Sequence, residues 1–207
     1  MKAGAMKTGA MKAGAIMGGA MNAGFADPVG DSQAVFRAVL DAMSRPGTVH
    51  AVTAPPEPPA PLHRATAAVL LTLADADTPL WLDDEAGAAW DWVSFHCGAP
   101  RADAKGAAIA VALQPAPLHA FAAGTDEEPE RGATLVLQVA ALGQGRAYRL
   151  AGPGLPHEGA VQVDGLPDGF AAAWARNAGL FPRGVDVVLC AGDRLAALPR
   201  TVALREA

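Results

Sequence analysis

Three apolar runs of strand length are the feature that most constrains the fold of this chain. They are Ile109 to Leu113, Thr134 to Val139 and Val185 to Cys190. Each run is continuous rather than alternating, which is typical of strands covered on both faces. Gly192-Asp193 is a turn signal between the third run and Leu195 to Leu198, and it predicts a hairpin. The sequence therefore predicts an α/β fold, a mixed β-sheet flanked by helices in a single domain, rather than a pure Rossmann arrangement.

The first helix has a clear sequence pattern. Apolar residues recur at helical spacing on one face, Asp31 is predicted as the N-cap, and Arg45-Pro46-Gly47 should end the helix. The apolar residues are Val35, Phe36, Val39, Leu40 and Met43. Further helices are predicted over 62–74, 85–96 and 170–178, further strands over 48–52, 80–82, 148–151 and 160–163, and an exposed extended loop over 54–61.

Residues 1–23 are predicted to be a disordered extension ahead of a domain at 24–207. The segment repeats a five-residue unit such as MKAGA, and a glycine in each unit weakens any helix. A targeting peptide or a membrane-surface helix is a poorer interpretation, because the segment lacks a large apolar face. Its lysines Lys2, Lys7 and Lys12 are the only charges before Asp27, so a net charge of −5 becomes −8 for the remainder. This acidic balance disfavours nucleic acid as a partner. No apolar run is long enough for a membrane span, so a cytoplasmic protein is expected.

Residues that could carry chemistry are few. The sequence contains no Walker loop, GxSxG, HExxH or strand-to-helix GxGxxG, its two cysteines are far apart, and no pair of histidines has ligand spacing, so neither a metal nor a cofactor is predicted. His96 stands near a helix end, where a capping or structural role competes with a functional one. Asp186 lies between two valines of a strand and needs a partner, which Arg200 or Arg183 could supply. The glycine pairs at 143–145 and 152–154 are interpreted as turns, although Gly154 would allow an anion to approach the backbone closely.

Three separated segments carry a resemblance to a known family. They are GFADPVGDSQAVFRAVLDAMSRPG, LLTLADADTPLWL with FHCGAP, and FPRGVDVVLCAGDRLAALPRT, and together they resemble the PhnH subunit of the carbon-phosphorus lyase core complex over about residues 24–202. The resemblance implies a reduced version of the PLP-dependent transferase fold without PLP, and Lys105, the sole lysine after the N-terminal repeat, is compatible with that loss. It also implies PhnG, PhnI and PhnJ as partners, a homodimer in isolation, and a complex that couples a phosphonate to the ribose of ATP with release of adenine.

Two hypotheses for the role of the chain follow. The first is a structural and assembly subunit, because no catalytic constellation is visible in the sequence. The second is a catalytic transferase subunit whose active site lies at an interface, where Arg37, Arg45, His96 or Arg200 would hold phosphate oxygens, since the guanidinium fork matches phosphate geometry. An independent PLP enzyme is disfavoured, since Lys105 is the one lysine that could form a Schiff base outside the repeat.

Overall fold

The computed structural model describes residues 21–207, so most of the predicted N-terminal extension lies outside the described residues. The described chain forms four α-helices and nine strands. In chain order they are α1 (Pro28–Ser44), β1 (His50–Ala51), α2 (Arg64–Leu73), β2 (Leu80–Leu82), α3 (Trp90–Cys97), β3 (Ile109–Ala112), β4 (Thr134–Gln138), β5 (Ala141–Ala151), β6 (Gly159–Asp164), α4 (Phe170–Ala178), β7 (Asp186–Ala191), β8 (Arg194–Leu198) and β9 (Ala203–Glu206), with 3₁₀ turns at Ala86–Ala89, Leu118–Ala120 and Pro129–Arg131. None of the described helices is long and apolar enough to cross a membrane.

A six-stranded mixed sheet forms the centre of the molecule, in the order β1-β8-β7-β4-β3-β2. Strands β2, β3, β4 and β7 are parallel, whereas β8 runs antiparallel to β7 and β1 antiparallel to β8. Every residue of β3 is buried, as are four of the five residues of β4 and five of the six residues of β7. The α/β class, the mixed sheet and the β7–β8 hairpin are therefore confirmed, and the continuous apolar runs are indeed strands covered on both faces.

A second sheet covers one face of the first and was not predicted. Strands β6, β5 and β9 form it in that order, and together with α4 they enclose a core that includes Tyr148, Phe170 and Trp174. Helices α1, α2 and α3 cover the opposite face. In β6 the buried Val161 and Val163 alternate with exposed residues, as expected for a strand with only one covered face. The molecule thus has three layers, with the central sheet between helices and a smaller sheet.

The N-cap of helix α1 lies four residues earlier than the predicted one. Asp27 is the N-cap, Pro28 follows it in the first turn, and the prediction of Asp31 was wrong. The Asp31 carboxylate nevertheless accepts a hydrogen bond from the backbone N–H of Asp27 at 3.0 Å, so it stabilises the same helix end from within the first turn. At the other end the predicted stop is confirmed, since the helix ends at Ser44 with Arg45 as the C-cap.

The glycine pair at 152–154 packs against that C-terminal end of α1. Gly154 has a φ of +82°, and a Cβ at this position would collide with the carbonyl oxygen of Ser44 and crowd the ring of Pro46. The close approach that glycine permits here is therefore made by the backbone of the protein itself. The carbonyl oxygen of Ser44 occupies the space that an anion would need to approach Gly154.

Candidate functional site

Asp186 and Arg200 form an ion pair at the amino end of β7. Arg200 donates from Nε at 3.0 Å and from Nη2 at 2.6 Å to Oδ2 of Asp186, and its backbone N–H donates to Oδ1 at 2.7 Å. Its Nη1 donates to the carbonyl oxygen of Pro129 at 2.6 Å. The side chain of Arg200 is only 12% exposed and that of Asp186 only 22%. Arg183, the other predicted partner of Asp186, pairs with Asp126 at 3.0 Å. These four hydrogen bonds tie the segment after β8 to β7 and to the 129–131 turn, so the guanidinium is engaged by the protein.

His96 holds the chain that precedes α1. Its Nε2 lies 3.1 Å from the carbonyl oxygen of Asn22, to which the indole N–H of Trp92 also donates at 2.8 Å. A Cβ on Gly24 would approach the imidazole to 3.0 Å. The imidazole also lies 4.7 Å from the Trp92 ring, measured between centroids. These contacts give His96 a structural task, which is to dock residues 22–24 on α3.

The two remaining candidates are Arg37 on α1 and Arg45, the C-cap of that helix. Arg45 forms an exposed ion pair with Asp41 at 2.8 Å, and Arg37 is exposed without an ion pair inside residues 21–207. Of the five candidate residues, only Asp186 and Arg200 are in direct contact. The structure therefore does not assemble Arg37, Arg45, His96 and Arg200 into one phosphate-binding group within this chain.

An exposed apolar stripe runs along the same helix. Val29, Phe36 and Leu40 are 71%, 48% and 55% exposed, and their spacing of seven and four residues places them within an arc of about 40° on the helix. The predicted single apolar face was wrong in this respect, because Val35 and Val39 are buried while Phe36 and Leu40 point away from the core. The seven-residue spacing is a signal in the sequence, but it becomes visible only when Val29 is counted as part of the helix. We call Val29, Phe36 and Leu40 the α1 stripe.

The carboxyl edge of the parallel strands, where α/β proteins often bind ligands, uses its polar groups internally. Oδ1 of Asp83 accepts the N–H of Ala86 at 2.7 Å, and Oδ2 accepts the N–H of Leu113 at 2.6 Å. Gln138 accepts the N–H of His63 and donates to a carbonyl oxygen of the proline-rich loop. These side chains hold loops together, so this edge offers no convergent catalytic set among the described residues.

Both cysteines carry thiols that burial keeps protonated. Burial raises the pKa of the half-buried Cys97 to about 11 and that of the fully buried Cys190 to about 12. A thiolate is the reactive form, so neither residue fits a nucleophile at neutral pH. Within residues 21–207 no group of three or more His, Cys, Asp or Glu side chains could hold a metal ion.

Comparison with known proteins gives a consistent set of matches. The family model described as bacterial phosphonate metabolism protein (PhnH) matches residues 23–205. A relative from Rhizobium meliloti (strain 1021), named alpha-D-ribose 1-methylphosphonate 5-triphosphate synthase subunit PhnH, is 42% identical over 192 residues, which cover 87% of this chain and 93% of the relative. A putative C-P lyase subunit protein, HtxG of Stutzerimonas stutzeri, is 44% identical over 78 residues, 38% of this chain and 40% of its own length.

Proposed function

Because the chain belongs to the PhnH family of bacterial phosphonate metabolism proteins, we propose that it is a structural and assembly subunit of the carbon-phosphorus lyase core complex. In this role it contributes to a ribose 1-phosphonate 5-triphosphate synthase, which couples a phosphonate to the ribose of ATP during organophosphonate breakdown. Its partners are PhnG, PhnI and PhnJ. The names of both relatives, each called a subunit, support a role inside an assembly.

The α1 stripe is the observation that carries this proposal. Three large apolar side chains aligned along one helix leave apolar surface in water, and exposed apolar patches often mark protein–protein contacts. Arg37 and Asp41 are exposed on the same helix and Arg45 is exposed at its C-cap, so charged groups accompany the stripe as in the polar rim of an interface. The helix therefore offers a surface that a partner subunit would cover.

Co-purification tests this assignment. The double variant Phe36→Glu with Leu40→Glu should weaken capture by PhnG, PhnI and PhnJ at least tenfold, because each large apolar side chain contributes about 1.5–3 kcal/mol when it is buried. Both side chains are half exposed, so the melting temperature should change little. Phe181→Glu is the matched control, since Phe181 is an exposed phenylalanine beyond the end of α4. Undiminished capture by the double variant would show that the stripe is not the contact.

The alternative is a catalytic transferase subunit with an active site completed by a partner. Arg37 favours it, since this arginine is exposed beside the stripe and has no ion pair inside residues 21–207. Arg45 would join it if a phosphate displaced Asp41, whereas the guanidinium of Arg200 is already engaged. Loss of triphosphate product in Arg37→Ala and Arg45→Ala complexes that still assemble would support catalysis. Normal turnover by both variants would leave the assembly role.

A resemblance to a reduced PLP-dependent transferase fold without PLP is a further proposal. A mixed sheet with α-helices on one face is compatible with it at the level of fold class. Lys105 donates its Nζ to the carbonyl oxygens of His119 and Phe121, at 2.7 and 3.0 Å, which suits an ammonium rather than a Schiff base. Added PLP should therefore give no internal aldimine absorbance, and a band that disappears in Lys105→Ala would contradict this view.

Isolated protein is proposed to be a cytoplasmic homodimer. Sedimentation velocity of the purified chain, and cell fractionation of its host, test these two statements directly.

A further inference from the structure

A cavity of about 540 Å³ lies on the face of the central sheet that carries β5, β6 and α4. It is bounded on one side by the loop 117–121 and on the other by α4 and the residues that follow it. Cavities of this size fall in the range that holds a small organic ligand. The cavity contains none of the five residues that the sequence pointed to.

The lining of this cavity combines apolar walls with positive charge. Leu118, Phe121, Leu180 and Val185 supply apolar surface, while Lys105, His119 and Arg176 supply basic side chains, and no Asp or Glu is among the lining residues. A neighbouring hollow of about 560 Å³ shares Lys105 with it and adds Arg131, whose guanidinium pairs with Glu128 at 2.9 Å. Since the whole chain carries a net charge of −5, this local excess of cations runs against its overall balance. Such a lining selects for an anion with an apolar part.

Lys105 is fixed at the border of the two hollows. Its Nζ donates to the carbonyl oxygens of His119 and Phe121, which restrains the ammonium against the 117–121 loop. An ammonium has three N–H donors, so one donor remains for a ligand. These two hydrogen bonds restrain the side chain before a ligand binds, so binding would cost less side-chain entropy.

Arg176 supplies the second charge from the last turn of α4. Within residues 21–207 its guanidinium has no ion pair and no hydrogen-bond partner, in contrast to Arg200. A free fork of this kind can bind two oxygens of a phosphate group at once. The wall from which it projects is rigid, because the buried Asn177 bonds to both the N–H and the carbonyl oxygen of Val185 at 2.8 Å.

We propose that this cavity binds a small phosphate ester, with the phosphate between Lys105 and Arg176 and a ring-bearing organic part against Leu118 and Leu180. A ligand of this class would contact both the basic and the apolar parts of the lining. Inorganic phosphate would leave the apolar walls uncovered, and a neutral ring would leave the cations without a partner. The inference goes beyond the assembly role and does not depend on it, because the cavity lies wholly within this chain.

Calorimetric titration of the isolated full-length chain tests the proposal with three probes. Adenosine 5′-monophosphate should bind, whereas adenosine and inorganic phosphate should each bind at least tenfold more weakly. Arg176→Ala and Lys105→Met should each weaken binding of the nucleotide at least tenfold and leave adenosine binding unchanged. Arg205→Ala is the matched control, since this exposed arginine lies on β9, outside the cavity lining.

Several results would overturn the proposal. They are no heat with the nucleotide at millimolar concentration, equal affinity for the nucleotide and inorganic phosphate, or an equal loss in Arg205→Ala and Arg176→Ala. Lys105 is bonded to the backbone, so circular dichroism must show that Lys105→Met is folded. Arg176 has no such contact inside the described chain, and its variant decides the outcome if Lys105→Met does not fold. Subunit capture is measured separately, so a failure here leaves the assembly role standing.

Discussion

Replacement of Arg200 by methionine should destabilise the protein substantially. Methionine keeps an apolar stem of similar length, so the change removes mainly the charge and its hydrogen bonds. The bonds lost are those from Nε and Nη2 to Asp186 and the one from Nη1 to Pro129. Of these hydrogen bonds, Asp186 then keeps only the one from the backbone N–H of residue 200. Its carboxylate stays mostly buried and has lost its counter-charge.

The expected cost follows from the burial of the pair. Removing one partner of a fully buried ion pair costs about 3–5 kcal/mol, because the remaining charge has lost both water and its partner. Here about a fifth of the Asp186 side chain is exposed, and one of its hydrogen bonds survives, so we expect about 2–4 kcal/mol. In a chain of this size that loss corresponds to a melting temperature lower by about 5–15 °C.

Urea unfolding followed by circular dichroism measures this change in free energy. Arg149→Met is the matched control, since the Arg149–Glu158 pair is 3.4 Å long and 65% and 62% exposed, and it should cost less than about 1 kcal/mol. Asp186→Asn combined with Arg200→Met should cost less than Arg200→Met alone, because it removes the unpaired charge and keeps an acceptor for the backbone N–H. A loss below about 1 kcal/mol for Arg200→Met, equal to that of the control, would refute the reasoning.

Two further predictions concern packing and ionisation. Gly154→Ala should lower the free energy of unfolding, measured by thermal unfolding, by about 2 kcal/mol or more, because the new Cβ collides with the carbonyl oxygen of Ser44. Gly169→Ala is the control: its φ is similar but a Cβ there has open space, so it should cost only about 1 kcal/mol. Cys97 and Cys190 should resist a thiol reagent at pH 8 until denaturant is added, and rapid labelling of the native protein would contradict this. The free energy of unfolding should fall as pH rises above about 9, because the unfolded chain then releases thiol protons that the folded chain keeps.

The central sheet was largely predictable from the sequence. The apolar runs at 109–113 and 134–139 became β3 and β4 because strands covered on both faces must be apolar throughout, and this pattern needs no knowledge of distant contacts. Helix α4 was placed at 170–178, as observed, because its amphipathic pattern is local. The second sheet was not foreseen. Strand β9, Ala203–Glu206, has one buried leucine, and only its pairing with β5 makes it a strand.

The candidate residues were predictable as ionic or structural groups but not as a site. Asp186 was singled out by its place between two valines, and the rule that a buried acid needs a partner led to Arg200. Lys105 and Arg176 could not be connected from the sequence, because they lie 71 positions apart and line one cavity only when α4 packs near the 117–121 loop. The α1 stripe was misassigned for a related reason, since an apolar residue in water and one in the core look the same in a helical pattern.

The pairing order of the two sheets has a consequence for how the chain reaches its folded state. Thr134 of β4 pairs with Asp186 of β7, and β1 pairs with β8, so the central sheet is complete only when distant parts of the chain meet. The smaller sheet is likewise complete only when β9 pairs with β5. Contacts so far apart in sequence slow folding, because the chain entropy is lost before the contacts form. During synthesis on a ribosome, the central sheet cannot close until β8 has emerged, and the smaller sheet cannot close until β9 has emerged.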